Sequence, residues 1–136
     1  MKTDRIKSDH DALLGYVGGL RELVQAGIPE NAEAIFRELM KISASIKLHL
    51  AIEDRILYPA LMAAVDPRIA ATGKRYQQEM GNLAEIYTGF ATRWNTAFKI
   101  SEDPDAFRRE ANDVFKALHA RIQREESELL PLAESL

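Results

Sequence analysis

Three interruptions divide this chain into four segments, and the spacing of apolar residues inside those segments decides the fold class. The breaks are Gly27-Ile28-Pro29, Asp66-Pro67 and Asp103-Pro104. In the last two, the aspartate can cap a helix whose first residue is the proline, a position that needs no backbone donor. Residues 4–26, 30–64, 67–99 and 104–133 each repeat apolar side chains at intervals of three and four, and none alternates with period two. The pattern predicts an all-α protein. Short connections between four long helices favour antiparallel neighbours, so the expected architecture is an up-down-up-down antiparallel four-helix bundle. A chain of 136 residues with 46% apolar content fits a single domain over residues 1–136, with a core large enough to stand without bridges.

Each segment carries one stripe. Ile6, His10, Leu13, Leu14, Val17, Leu20 and Val24 form the first. The second comprises Ile35, Leu39, Ile42, Ile46, His49, Glu53 and Ile56, and Pro59 should kink or interrupt its helix near the end. Tyr76, Met80, Leu83, Tyr87, Phe90 and Trp94 follow a heptad-like spacing in the third, with Glu79 at the stripe's edge. The fourth runs Phe107, Ala111, Val114, Leu118, Arg121, Glu125 and Leu129, which puts two charged residues on a face expected to be buried.

These inward polar residues share one end. In an alternating bundle, His10 near the start of the first helix, His49 and Glu53 late in the second, Glu79 early in the third and Glu125 late in the fourth fall in the same half of the molecule. Burying such groups without partners costs several kcal/mol each, so something there must compensate them. His49 and Glu53, four residues apart, project from one side of a helix toward one point, as two metal ligands would. The stretch His49-Leu-Ala-Ile-Glu53-Asp-Arg-Ile-Leu-Tyr-Pro59 has an echo in Arg121-Ile-Gln-Arg-Glu125-Glu-Ser-Glu-Leu-Leu-Pro131, which keeps the glutamate and proline but has arginine in place of histidine. A guanidinium has no lone pair to give and cannot ligate.

Composition removes several alternatives. With no cysteine, disulfides, thiolate zinc sites and iron–sulfur clusters are excluded, and any metal must be held by nitrogen and oxygen. The 18 basic and 21 acidic residues are spread evenly to a net charge of −3, which argues against a nucleic-acid or anionic-membrane footprint. The opening Met-Lys-Thr-Asp-Arg leads straight into an amphipathic pattern, so a cytoplasmic protein without signal peptide or membrane span is expected. No nucleophile with a paired base, phosphate loop or dinucleotide fingerprint is present, so an enzyme is not the expectation and any catalysis would be oxidative chemistry at a metal.

Taken together, these motifs resemble the hemerythrin-like, or HHE cation-binding, four-helix bundles. His10-Asp11 matches the family's early His-acid pair, and His49-Leu-Ala-Ile-Glu53 with Leu57-Tyr58-Pro59 matches its His-x-x-x-Glu motif. The chain departs from the pattern in having no histidine in the third helix and Arg121 in place of the fourth-helix histidine, while Glu125 is retained. Complete members hold two non-haem irons with bridging carboxylates and bind oxygen or sense iron or oxygen. The resemblance carries His10, His49, Glu53 and Glu125 over as ligands, enough for one iron with open positions. Glu79, near where the missing histidine would project, is the candidate for completing a second site.

Two readings follow. One is a cation-binding protein with a depleted iron centre of one or two ions, binding dioxygen or another diatomic, or sensing iron or redox state. Arg121 and Tyr76 would then support the ligating carboxylates. The other is a metal-free helical module for regulation or interaction, in which Arg121 neutralises Glu53, Glu79 and Glu125. His119 lies about 200° around the helix from the face of Arg121 and reads as a surface residue. The Glu126 and Glu128 carboxylates read as a solvated face, and the aromatic stripe as core.

Overall fold

The computed structural model describes residues 1–136, and all its regular structure is helical. The four periodic segments become α1 (Asp4–Gln25), α2 (Ala32–Ile52), α4 (Pro67–Arg93) and α6 (Pro104–Arg124). Two of them continue past a widened turn. The second passes through a π turn, Glu53–Leu57, into α3 (Tyr58–Met62), and α6 passes through another, Glu125–Leu129, into α7 (Leu130–Glu134). A 3-10 turn, Pro29–Asn31, precedes α2, and a short α5 (Ala97–Glu102) stands between α4 and α6. No helix is long and apolar enough to cross a membrane.

The breaks act as the sequence predicts. Asp66 accepts a hydrogen bond from the Arg68 N–H at 2.9 Å and Asp103 one from Ala106 at 3.3 Å, each with a proline opening the helix. Such caps contribute about 1 kcal/mol each. Gly27 closes α1 at φ 119°, a conformation that only glycine adopts without strain. The third helix is shorter than the expected 67–99. It ends at Arg93 because Trp94 leaves helical geometry and Thr96, fully extended, caps α5 by accepting from the Lys99 N–H.

Pro59 interrupts the α-helix, as expected, without ending it. A proline removes one donor and crowds the carbonyl four residues back. The chain accommodates this by widening the turn, so that the Tyr58 N–H reaches the Glu53 carbonyl, five residues back. Leu130 and Glu125 repeat the arrangement ahead of Pro131. The additional residue in the turn rotates the following face, which corrects one member of the expected stripe: Ile56 is 55% exposed and Leu57 is fully buried in its stead.

The other stripe residues are buried or half-buried. They form two apolar clusters. The larger one, of 20 residues, includes Leu13, Ile46, Tyr87, Phe90, Phe107 and Leu118, and the smaller one, of 9 residues, includes Ile6, Leu57, Tyr58, Tyr76 and Leu129. On α1, on α2 with its π turn, and on α6 with its own, the buried polar residues fall between members of the two clusters. The polar layer is therefore closed above and below by apolar packing. At Gly73 an added Cβ would stand 2.7 Å from the Leu61 side chain, so the absence of a side chain lets α3 lie close on α4 at the end where the polar layer sits.

Candidate metal centre

Six polar or charged residues are buried: Thr3, His10, His49, Glu53, Arg121 and Glu125. Thr3 hydrogen-bonds to Glu134 near the chain ends, and the other five form the polar layer. Within it, ligand atoms of His10, His49, Glu53 and Glu125 all lie within 4.8 Å of one another. Periodicity explains this. His10 occupies the stripe of α1 one turn after Ile6, His49 and Glu53 stack on α2 and the start of its π turn, and Glu125 opens the second π turn at the matching level.

The contacts are unusual for a polar core. The two imidazoles face each other with Nε2 atoms 3.1 Å apart, and only one of the pair can carry the proton between them. His10 Nε2 also lies 3.3 Å from Glu125 Oε2, and His49 Nε2 lies 2.7 Å from Glu53 Oε1. Glu53 Oε1 and Glu125 Oε1 are nonetheless buried without an aligned hydrogen bond. Two nitrogen and two carboxylate donors converging with unspent lone pairs suit a divalent cation such as iron, manganese or zinc, so the residues fit one ion.

Burial and neighbouring charge separate the two carboxyls. Burial lifts Glu125 to about 7, with the Glu53 charge adding to the rise against the opposing pull of His10 and Arg121. Burial also works to raise Glu53, but the adjoining His49, Glu125 and Tyr58 groups outweigh it and bring the carboxyl down to about 2. The two carboxyls are thereby driven apart, with Glu125 the one that holds a proton more readily. For His10, burial disfavours the imidazolium, yet Glu125, Glu126 and Glu53 together raise its pKa. Tyr58 is pushed far above the usual phenol range by burial and by the charges of Glu53 and Glu125, so it stays protonated and donates to Glu53 Oε2 at 2.9 Å.

Arg121 lies beside the cluster and turns its charge away from it. Its guanidinium donates to the Tyr76 carbonyl at 2.6 Å, the Tyr58 hydroxyl at 3.1 Å and Glu79 Oε2 at 3.3 Å, and sits 4.4 Å from the centroid of the Tyr76 ring. Only Nε approaches Glu125, 3.5 Å from Oε1. Glu79 is the sequence-predicted ligand that the structure does not bring to the cluster. It is half-buried and held by Arg121 and by Arg124, the latter at 3.1 Å, because the two guanidiniums on α6 draw its carboxylate to themselves. Tyr76 supports Arg121 and sends its hydroxyl to Glu128 at 2.8 Å. His119 is exposed, as expected from its position around the helix.

Two participants escape a reading by periodicity alone. Tyr58 links Glu53 to Arg121, and the only sequence signal for it is its place beside Pro59 in the motif. Glu126, expected in a solvated face, is half-buried and lies 3.3 Å from His10 Nδ1, an outer partner of the kind that orients a ligating imidazole. The widened turn brings it there, and nothing in the residue spacing announces that turn. Compared with known proteins, residues 1–133 match a family model described as the hemerythrin HHE cation-binding domain. No match was found among curated proteins or among solved structures.

Proposed function

Since this chain belongs to the hemerythrin HHE cation-binding family, we propose that it holds a single non-haem iron ion on His10, His49, Glu53 and Glu125, in one domain built as an alternating four-helix bundle. The alternation is supported by cross-helix contacts such as Arg93 with Glu110, Tyr76 with Glu128 and Lys7 with Glu134. The observation that carries the cation reading is the convergence of two imidazole Nε2 atoms 3.1 Å apart on two buried carboxylates with unspent oxygens. Metal-free, such an arrangement leaves donors and acceptors mismatched in a low-dielectric layer, which is costly.

The chain's own residues have separable roles. His10 and His49 bind through Nε2, and Glu126 holds His10 in orientation from Nδ1. Glu53 brings the permanent negative charge, and Glu125 holds a proton that must leave when a cation arrives. The apolar clusters above and below exclude water. Iron bound there would supply a redox-active centre with open positions for dioxygen or another diatomic, or a signal of iron or redox state. A second ion is disfavoured because Arg121 fills that half of the layer with a fixed positive charge.

The Arg121 network supports a second reading, a metal-free helical module acting through its surface. Its ties to Glu79, Tyr58 and the Tyr76 carbonyl neutralise that side of the layer without a cation. Metal analysis and an ultraviolet-visible spectrum of protein produced in iron-supplemented medium separate the two. The iron reading expects close to one ion per chain and a raised melting temperature when ferrous iron is added anaerobically. Absence of stoichiometric metal together with an unmoved melting temperature leaves the metal-free module.

A further inference from the structure

We propose that the cleft between α1 and α2 is the route by which a cation reaches and leaves the four-residue cluster, with the half-buried Asp9 as an acceptor along it. This rests on the cation reading of the cluster. The cleft, of about 380 Å³, is lined by Asp9, Ala12 and Tyr16 on α1 and by Lys41, Ala44, Ser45, Leu48 and His49 on α2. Ala12, Tyr16, Lys41, Ala44 and Leu48 are exposed, so it opens to solvent, whereas His49, 5% exposed, is its one buried wall. The innermost surface of the cleft is therefore a ligand of the cluster. Small side chains at Ala12, Ala44 and Ser45 leave the gap that larger ones would fill.

Two unpartnered atoms mark the path. Asp9 gives one oxygen to Arg5 Nε at 3.2 Å, while its Oδ2 is buried without a partner. His49 Nδ1 is likewise buried without a partner, whereas the equivalent atom of His10 is engaged by Glu126. A cation shedding its water needs polar atoms along its way, and these supply them. Lys41, the one cationic side chain among the lining residues, is paired with Glu38 at 3.0 Å.

The cleft between α2 and α4 is lined by none of the four ligands. Toward the middle of the bundle stand Leu13 and Ile46, and toward the chain ends the fully buried Leu57, Tyr58 and Leu129. The α4–α6 side is held by the Arg121 guanidinium, which repels a cation. On the α6 side, His10 is fully buried behind Glu126.

The test follows ferrous iron anaerobically, as the rate of uptake and the rate of release to excess chelator. Ala44→Trp and, from the facing helix, Ala12→Trp obstruct the cleft at exposed positions that leave the core intact, which unchanged melting temperatures would verify. Thr88→Trp, at an exposed position on the separate cleft between α2 and α4, is the control. Each α1–α2 plug is expected to slow uptake and release alike by about tenfold while the iron bound at equilibrium stays the same, and Asp9→Asn to slow uptake about tenfold at low salt. Thr88→Trp should change neither rate. Iron that binds the unmodified chain and exchanges at unaltered rates in both plugged chains overturns the route and leaves the cation reading standing. If the unmodified chain binds no iron, the two fall together.

Discussion

The arm that carries Glu53 and the arm that carries Glu125 share a backbone device and differ in chemistry. In both, the glutamate opens a π turn, its carbonyl accepts an N–H five residues on, a proline follows, and a fully buried leucine, Leu57 or Leu129, closes the turn. One turn earlier they part. His49 keeps a nitrogen within 2.7 Å of its glutamate, whereas Arg121 spends its donors on Tyr76, Tyr58 and Glu79. The backbone thus delivers a carboxylate to the centre whatever precedes it. The preceding residue decides whether that half of the layer has a lone pair to offer a cation or is already neutralised by a fixed charge.

The largest effect expected from this asymmetry is in ion binding. His49→Ala should abolish stoichiometric iron in metal analysis while circular dichroism still reports a helical bundle. A variant that retained its iron would remove the first arm's special status. In the second arm, Arg121→Ala takes a donor from the buried Tyr76 carbonyl and the Tyr58 hydroxyl, and denaturant titration should show a loss of about 2–3 kcal/mol. Arg121→His, by contrast, makes the arms alike and should raise iron occupancy; unchanged occupancy would mean that Arg121 is not what limits the second half.

The carboxyls make the comparison sensitive to pH. Glu125, lifted from 4.5 to about 7, holds its proton in the folded chain where the unfolded chain has lost it. Stability of the metal-free protein should therefore fall as pH rises through that window, by at most roughly 3 kcal/mol. His10 acts in the same direction: its raised pKa contributes stability that is present below 6.5 and lost as pH rises through the folded value. Glu53 acts oppositely, since its contribution is present above 4.5 and lost as pH falls toward about 2. A bound cation replaces the proton on Glu125 and should flatten the decline. Thermal melts of metal-free protein that rise steadily from pH 5 to 7 would contradict this assignment.

The smallest change concerns the link between the arms. Tyr58 donates to Glu53 and accepts from Arg121, so Tyr58→Phe removes one bond from each arm and should cost about 1–2 kcal/mol in denaturant titration. Bound iron should stay near its original amount. If binding vanished as it does in His49→Ala, the tyrosine would belong to the ligand set and not merely brace it.

Much of this was legible before any coordinates. Spacings of three and four located every long helix, and Asp66-Pro67 and Asp103-Pro104 marked two helix starts. His10, His49, Glu53 and Glu125 could be traced to one level because stripe positions on four helices translate directly into height. Where the reading failed, the cause was local. Ile56 was expected inside because regular helical rotation was carried up to Pro59, whereas the turn already widens at Glu53, and Trp94 ends α4 although its apolar neighbours continue. Glu79 lay at the edge of its stripe, where rotation alone does not decide between a central cation and the guanidiniums of Arg121 and Arg124.

By itself, then, the sequence determined that the chain is helical, which faces are apolar, and that histidines and carboxylates meet at one level, because periodicity is a property of order along the chain. Tertiary structure alone decided how those groups were spent: Glu53 drawn below the usual carboxylate range and Glu125 pushed above it, Glu126 behind His10, and Arg121 turned toward Tyr58, Tyr76 and Glu79. Protonation and pairing depend on burial and on distances between different helices, and in both arms on a widened turn whose only trace in the sequence is a proline. The stretch from His49 to Pro59 and its echo from Arg121 to Pro131 look like two copies of one motif, and their packing makes them a donor half and a neutralised half of one layer.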